Sequence, residues 1–331
     1  MKKYLIQPEK NTIQLTEQGV VKLAEYDVRV KVMSTSLNYR DIIYKKVNAM
    51  EVTALSDGAG EVIEIGSKVQ ELKVGDRVTG LFFPEWLDGD EHLGANEPAR
   101  GGGDIDGMLA TEVVGNAKGF IKFPDYLSYE EAATLPCAGL TAWHAMFEHP
   151  RALQAGQTVL IEGTGGVSIF ALQLANAFGI HSIVTSSSNE KLEVAKSMGA
   201  THTINYRETP DWGQKALEIT SGKGVDMVLE VGGAGTLDQS MNAVKVRGVI
   251  SLIGVLTGFD EKVNTVPITV KMISMFGIHV GSKAMYSRFN QALSQHKIKP
   301  IIDKEFDFSE AKKAYDYLES GQHFGKVIIK H

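Results

Sequence analysis

The sequence predicts an α/β protein in which one strand-rich part and one doubly wound parallel-sheet part share a single chain. Three observations carry this. Short alternating β-branched runs fill about the first 120 residues, and strand and helix patterns alternate after Pro124. The stretch VLIEGTGGVSIFALQLANAFG (Val159–Gly179) joins an apolar strand pattern to a helix pattern through a glycine turn.

In the first part, Val28–Met33, Gly60–Ile65 and Asp76–Gly80 read as short antiparallel strands of a partly closed barrel or sandwich. Gly60, Gly66 and Gly75 bracket two of them at turns. Phe82–Asp106 (FFPEWLDGDEHLGANEPARGGGDID) is a long loop by the standard of compact domains. It is either a surface excursion or the rim of a substrate cleft. The strand-like run MLATEVV follows it.

After Pro124 the period changes. Tyr129–Pro136 and Thr141–Phe147 read as helical. Strands are predicted at Thr158–Glu162, Ser182–Thr185, Thr203–Asn205, Met227–Val231, Val249–Ile253 and Met275–Val280. Helices are predicted at Ser168–Phe178, Glu190–Met198, Trp212–Thr220 and Leu237–Val244, so a parallel sheet should be covered on both faces. Ile301–His331 returns to a mixed texture and can fold back onto the first part.

A chain of 331 residues is long enough for two domains. The formal charge of −6 gives no bulk attraction to nucleic acid or an anionic membrane. The single cysteine, Cys137, allows neither an internal disulfide nor a zinc site built from several thiolates. The N-terminal MKKYLIQPEKNTIQL reads as the start of a folded domain, not a signal peptide. No charge-free apolar run reaches the roughly 18 residues of a membrane span, so a cytoplasmic enzyme or binding protein is expected.

The glycine turn suits a dinucleotide pyrophosphate. Gly163 permits the tight turn and Gly165 lets backbone approach the phosphates, with Thr164, Gly166 and Val167 completing the cradle at the helix start. Ser168 stands where a third glycine is usual; it is small enough for close packing of helix on strand. At the end of the second strand an NAD-selective site commonly carries an acid. Here the chain reads IVTSSSNEK, and Ser186, Ser187 and Lys191 suit a 2′-phosphate, which favours NADP(H). The same serines also suit a helix cap before Glu190, and both roles use unpaired amides.

An ordered set of motifs spans nearly the whole chain: SLNYRD (Ser36–Asp41), LSDGAGEV (Leu55–Val62), GDRV (Gly75–Val78), ATLPCAGLTAW (Ala133–Trp143), GTGGVS (Gly163–Ser168), INY (Ile204–Tyr206), SLIGVLTG (Ser251–Gly258) and HFGKVII (His323–Ile329). With these the chain resembles the zinc-independent medium-chain dehydrogenase/reductases, relatives of NADPH:quinone oxidoreductase. Within them it is similar to the proteins called zinc-type alcohol dehydrogenase-like. The resemblance implies a GroES-like catalytic domain over residues 1–124, completed by 285–331, and a Rossmann NADP(H)-binding domain over 125–284. It implies a cleft between them and a homodimer or homotetramer, with the dimer formed by edge pairing near Met275–Val280.

Zinc enzymes of this superfamily take their ligands at positions that correspond to Asn38, Ser56 and Cys137. Only Cys137 keeps a ligand type, so no catalytic metal is expected. His92 and the acids of the long loop have no spacing specific to a cation. The resemblance instead places Asn38 at the nicotinamide mouth, where its amide can donate to a substrate oxygen or hold water; capping a turn is the structural alternative. Tyr39 is a second donor or a substrate wall. Arg40 and Asp41 are expected to form a local ion pair, and Cys137 and His144 to be packed residues.

Cofactor contacts implied in the same way are Gly163–Val167 at the pyrophosphate and Ser186, Ser187, Lys191 and Tyr206 on the adenosine side. Thr141, Gly232, Gly254, Val255 and Leu256 run toward the nicotinamide, and Val280, Gly281, Phe324, Gly325 and Lys326 close that end. The expected function is hydride transfer from NADP(H) to a small apolar or aromatic carbonyl, enone or quinone, with Tyr39, Phe82, Phe83 or Trp86 as lining. A zinc-independent alcohol dehydrogenase and a non-enzymatic NADPH-binding regulator are the alternatives.

Overall fold

The computed structural model describes residues 1–48, 50–89, 98–103, 105–258 and 262–331; His92 and most acids of the long loop lie outside these. In chain order the elements are β1 (Lys2–Gln7), β2 (Thr12–Glu17), β3 (Asp27–Ser36), α1 (Tyr39–Val47), β4 (Asp57–Ile65), β5 (Arg77–Gly80), β6 (Glu112–Asn116) and β7 (Phe120–Lys122). Next come α2 (Tyr129–Ala132), a π turn over Leu135–Gly139, α3 (Leu140–Phe147), β8 (Thr158–Glu162), α4 (Gly166–Ala177), β9 (His181–Ser186), α5 (Asn189–Ser197), β10 (His202–Asn205) and α6 (Trp212–Ile219). The chain closes with β11 (Val225–Glu230), α7 (Ala234–Ala243), β12 (Val244–Leu252), α8 (Val266–Lys271), β13 (Ser274–Gly277), α9 (Lys283–His296), β14 (Ile302–Asp307), α10 (Ala311–Glu319) and β15 (Lys326–Lys330).

The chain divides into two compact units, Met1–Leu140 with Val280–His331, and Thr141–His279. The first unit carries a mixed sheet in the order β14-β15-β3-β4-β5-β7, with β6 also paired to β3 and a β1-β2 hairpin beside it. Its core has two parts. Val28, Val30, Val32, Val62, Val78, Met108 and Phe120 fill one side of the sheet. Tyr4, Ile6, Leu37, Ile42, Leu55, Tyr315, Val327 and Ile329 join the hairpin, α1, α10 and β15 on the other. Such β-branched residues suit a pleated, half-buried surface. The C-terminal strand is therefore a full sheet member, antiparallel to β3 with Ile328 opposite Ser36.

The second unit is a six-stranded parallel sheet in the order β10-β9-β8-β11-β12-β13. The direction of winding reverses between β8 and β11, the switch point at whose carboxyl end open α/β sheets bind ligands. Strands of such a sheet are covered on both faces and read as continuous apolar runs, which is why VLI and MVL were legible.

Several boundaries differ from the sequence expectation for physical reasons. The first helix after Pro124, expected over Tyr129–Pro136, breaks after Ala132, and Leu135–Gly139 adopts π geometry before α3. The β12 strand begins five residues earlier than its apolar run, because Val225 pairs with Val244 across a register shift. The β13 strand ends at Gly277; Val280, predicted to lie in it, has a left-handed φ of 50° outside the sheet. Phe82, Phe83 and Trp86, expected as an accessible lining, are buried, with Phe82 and Phe83 edge-to-face at 4.7 Å.

Ser168 answers to its unusual place in the glycine turn. Its buried Oγ donates to Glu162 O at 2.6 Å, tying the first turn of α4 to the end of β8. Ser168→Ala should therefore destabilise the protein by about 1 kcal/mol, the net worth of a typical buried hydrogen bond. A chemical-denaturation midpoint identical to that of the unmodified chain would refute the tie.

Candidate active site

The first functional cluster grows from the start of α1. Asn38 is the N-cap, with extended backbone (φ −131°, ψ 157°). Its N–H donates to Asp41 Oδ2 at 2.8 Å, and Asp41 N–H to Asn38 O at 3.0 Å. The pattern N-Y-R-D thus supplies a cap and an acid three residues on, both suited to the unpaired amides of a first turn.

Sheet register brings the distant partners. Ser36 stands opposite Ile328 on one side and Asp57 on the other, so the starts of β15 and β4 flank the end of β3. Lys326, the first residue of β15, is buried, and its Nζ donates to Leu37 O and to Asn38 Oδ1, both at 2.6 Å. Asp57 is fully buried; its Oδ1 accepts from Ser56 Oγ at 2.7 Å and its Oδ2 from Cys137 N–H at 3.1 Å. Arg40 Nη1 donates to Asp41 Oδ1 at 3.2 Å and to Arg100 O at 3.0 Å, and its guanidinium lies over Tyr44 and Phe82. The expected Arg40–Asp41 pair is present. Tyr39, by contrast, is 45% exposed.

Burial sets the electrostatics. Desolvation raises Asp57, opposed chiefly by Lys326, and lowers Lys326, opposed chiefly by Asp57, so each opposes the other's neutralisation. Desolvation pushes Asp41 up to about 6, with Arg40 pulling back and Asp57 adding to the rise. Desolvation, reinforced by Asp57, also pushes the Cys137 thiol up. Asn38 favours the ionised form of Asp57, yet its own buried Nδ2 completes no hydrogen bond.

This donor set does not fit zinc. Asn38 Oδ1 faces an ammonium, Ser56 Oγ is spent on Asp57, and the Cys137 thiol is held neutral, whereas zinc takes thiolate, imidazole or carboxylate ligands. Among the described residues no group of three or more His, Cys, Asp or Glu side chains is arranged to hold a metal.

The second cluster lies at the carboxyl edge of the parallel sheet. Gly163 takes the left-handed φ of 73° that its turn requires, and Gly165 caps α4 in extended conformation. Thr164 is buried, while Gly166 and Val167 open the helix, so the first-turn amides are free of intrahelical partners. Ser186 ends β9; Ser187 and Lys191 are half-buried, and exposed Tyr206 donates its N–H to Ser186 O at 3.1 Å. Ser188 Oγ caps α5, accepting from Lys191 N–H, and lies 2.5 Å from Glu190 Oε2. Gly232 follows β11, and the Gly254–Leu256 loop follows β12 with Leu256 N–H on Val231 O at 3.4 Å. A Cβ at Gly254 would lie 2.1 Å from Val231 O, so only glycine lets these two loops meet. These residues therefore share one edge, and the cradle fits a dinucleotide.

Thr141 opens this unit, buried within α3. Val280, Gly281, Phe324, Gly325 and Lys326 belong to the other unit, and Lys326 is part of the Asn38 cluster.

Two groups under the cradle carried no sequence assignment. Glu162 and Glu230 are buried at the ends of β8 and β11. Glu162 accepts from Val231 and Gly232 N–H, and Glu230 from Gly232 and Gly233 N–H and Thr236 Oγ1. Ser240 Oγ lies 2.9 Å from Glu162 and 2.5 Å from Glu230. A hydroxyl has one hydrogen, so one of the two carboxyls must carry a proton. Desolvation, then the Glu230 charge, raises Glu162 well above the usual carboxylate range. The electrostatic coupling of Asp57 and Lys326 was likewise missed; 269 residues separate them, and no local pattern can signal it.

The sign of the Asp41 shift gives a test. The folded chain keeps this proton to a higher pH than the unfolded chain does, so its stabilising contribution is complete below pH of about 4 and disappears as pH rises through about 6. Asp41→Asn should flatten the fall in stability across that window by roughly 2–3 kcal/mol, the linkage equivalent of the shift. Parallel stability profiles for the two proteins between these pH values would contradict it.

Comparison with known proteins agrees with this geometry. The family described as alcohol dehydrogenase GroES-like domain matches residues 24–125, and that described as zinc-binding dehydrogenase matches residues 166–295. A zinc-type alcohol dehydrogenase-like protein of Schizosaccharomyces pombe is 42% identical over 321 residues, 93% of this chain and 92% of that one. A quinone oxidoreductase of Pseudomonas aeruginosa is 29% identical over 317 residues, covering 92% and 90%. A solved structure from Sinorhizobium meliloti 1021, assigned provisionally as an alcohol dehydrogenase, superposes with a TM-score of 0.91 at 38% identity over the full length of both chains. The mixed-sheet unit is thus GroES-like and the parallel-sheet unit Rossmann-like. The chain belongs to the medium-chain dehydrogenase/reductase superfamily of NAD(P)(H)-dependent oxidoreductases, with the quinone oxidoreductase-like and zinc-type alcohol dehydrogenase-like proteins.

Proposed function

We propose that the protein reduces a small apolar or aromatic carbonyl, enone or quinone with NADPH, and that Asn38 supplies the donor to the substrate oxygen. One observation carries the reading: Asn38 Nδ2 is a buried donor that completes no hydrogen bond, on an amide whose Oδ1 faces the Lys326 ammonium. Idle buried donors are rare and costly, and a preorganised donor aimed at developing negative charge is a large catalytic term. When bound, the nicotinamide cofactor supplies the hydride. Asn38 then orients and stabilises the oxygen that gains charge, and exposed Tyr39 is a second donor or a wall. The relatives named as alcohol dehydrogenases support the same residues working in the oxidative direction on an alcohol.

The cofactor preference rests on the end of β9. Ser186, not an acid, ends the strand, and the Glu190 carboxylate is engaged at the cap by Ser188. Ser186, Ser187, Lys191 and Tyr206 then receive the 2′-phosphate. The catalytic domain extends over 1–124 with 285–331, and the nucleotide domain over 125–284. The β13 edge strand suits pairing with a second copy, giving a homodimer or a tetramer of such dimers. No helix among the described residues is long and apolar enough to cross a membrane, and we assign the protein to the cytoplasm.

A panel of carbonyls, enones, quinones and alcohols run with NADPH and NADH, with products identified by mass, tests the function. Tight NADPH binding without turnover on any of them would point to a regulator. On an accepted substrate, Asn38→Ala should cost about 2–4 kcal/mol in kcat/KM, the scale of a lost oxyanion donor, with NADPH affinity unchanged. Unaltered kcat/KM would return Asn38 to a capping role. Lys191→Ala should weaken NADPH binding by about 1–2 kcal/mol more than NADH binding. Equal losses for the two cofactors would remove Lys191 from the phosphate.

A further inference from the structure

We propose that Lys326 is a positioning residue for Asn38: its buried ammonium dictates which end of the carboxamide is offered to the substrate. The inference rests on the reading of Asn38 as the oxygen donor.

The two ends of an asparagine amide are nearly identical in shape, so packing does not distinguish oxygen from nitrogen. Their chemistry does. An ammonium has donors and no acceptor, and Lys326 Nζ stands 2.6 Å from the Asn38 amide. Only Oδ1 can face it. The Nδ2 end is then turned away from the cation and toward Asp57, whose ionised form it favours, without completing a hydrogen bond. The same contact draws electron density toward Oδ1, which makes the remaining N–H groups stronger donors, as charge-assisted and chained hydrogen bonds do.

Lys326 is itself held. Its side chain is buried, Leu37 O takes a second N–H at 2.6 Å, and the charge of Asp57 opposes its neutralisation. Asp57 is fixed in turn by Ser56 Oγ and Cys137 N–H. The remaining charged neighbours are Asp41 and Arg40, which pair with each other. The backbone of Lys326 donates to Ile301 O at 3.0 Å, so the side chain issues from a sheet position that cannot drift.

A double-mutant cycle on the full chain tests this, with NADPH and cyclohexenone or benzoquinone as probes. At saturating NADPH, Lys326→Met should lower kcat about 30-fold or more, and in the Asn38→Ala background it should cost less than about threefold. Because Lys326→Met leaves Asp57 without its counter-ion, the charge-neutral pair Lys326→Met with Asp57→Asn is measured beside it and should show the same loss of kcat. Lys326→Arg, which keeps a cation facing Oδ1, should recover part of it. Equal losses in the presence and absence of Asn38, or full activity of the charge-neutral pair, would overturn the proposal. Should Asn38→Ala alone leave kcat unchanged, the donor reading itself fails, and that is a separate outcome. Independently of turnover, the side-chain NH2 resonances of Asn38, assigned by their loss in Asn38→Asp, should shift and broaden in Lys326→Met. Resonances unmoved by that change would also defeat the proposal.

Discussion

The contact between the last strand and the first helix cap governs the catalytic unit. Lys326 lies 288 residues from Asn38 in sequence, yet their side chains meet at 2.6 Å. Burying an isolated ammonium is expensive unless it is paired and its hydrogens are accepted. Both conditions are met only when β15 lies beside β3 and β4 lies on its other side. The chain end is therefore a structural requirement of the site, and the site in turn penalises any misplacement of that strand. Removing a single partner of such a network strands a buried charge, so its members depend on one another.

The same logic, with the sign of charge reversed, operates beneath the nucleotide cradle. Glu162 and Glu230 close the ends of the two strands that flank the switch point, and their oxygens collect amides from the Gly232–Gly233 turn. Two ionised carboxylates there would repel each other and an incoming pyrophosphate. One shared proton removes most of that conflict while keeping the hydrogen bonds that shape the turn. Ser168 adds a tie of its own from α4 to Glu162 O. The first loops to meet the cofactor thus rest on buried polar groups, not on glycine flexibility alone.

The chemistry available follows from these choices. A metal would polarise a carbonyl with a full positive charge; at the corresponding place this chain carries a neutral amide whose oxygen faces an ammonium. At the positions that correspond to zinc ligands, Asn38 Oδ1 accepts from Lys326, Ser56 Oγ donates to Asp57, and the Cys137 backbone N–H donates to Asp57.

The sequence alone determined the division into a strand-rich part and a parallel sheet, the glycine cradle and most nucleotide-unit elements. These features are local: an apolar run, a turn and a helical period lie within a few residues of each other. It also identified Asn38 as the position to watch, through the resemblance carried by SLNYRD. Weaker local signals were passed over. The β1-β2 hairpin has polar strands, and α1 (YRDIIYKKV) is short and mixed, so neither has a strong period. Other features had no local signal at all. The Asp57–Lys326 charges and the Glu162–Glu230 carboxyls are brought near each other by sheet register, and Phe82, Phe83 and Trp86 are buried by long-range packing of the segment after β5. Tertiary structure alone decided them, because a buried charge or ring is specified by its neighbours in space and not by its neighbours in the chain.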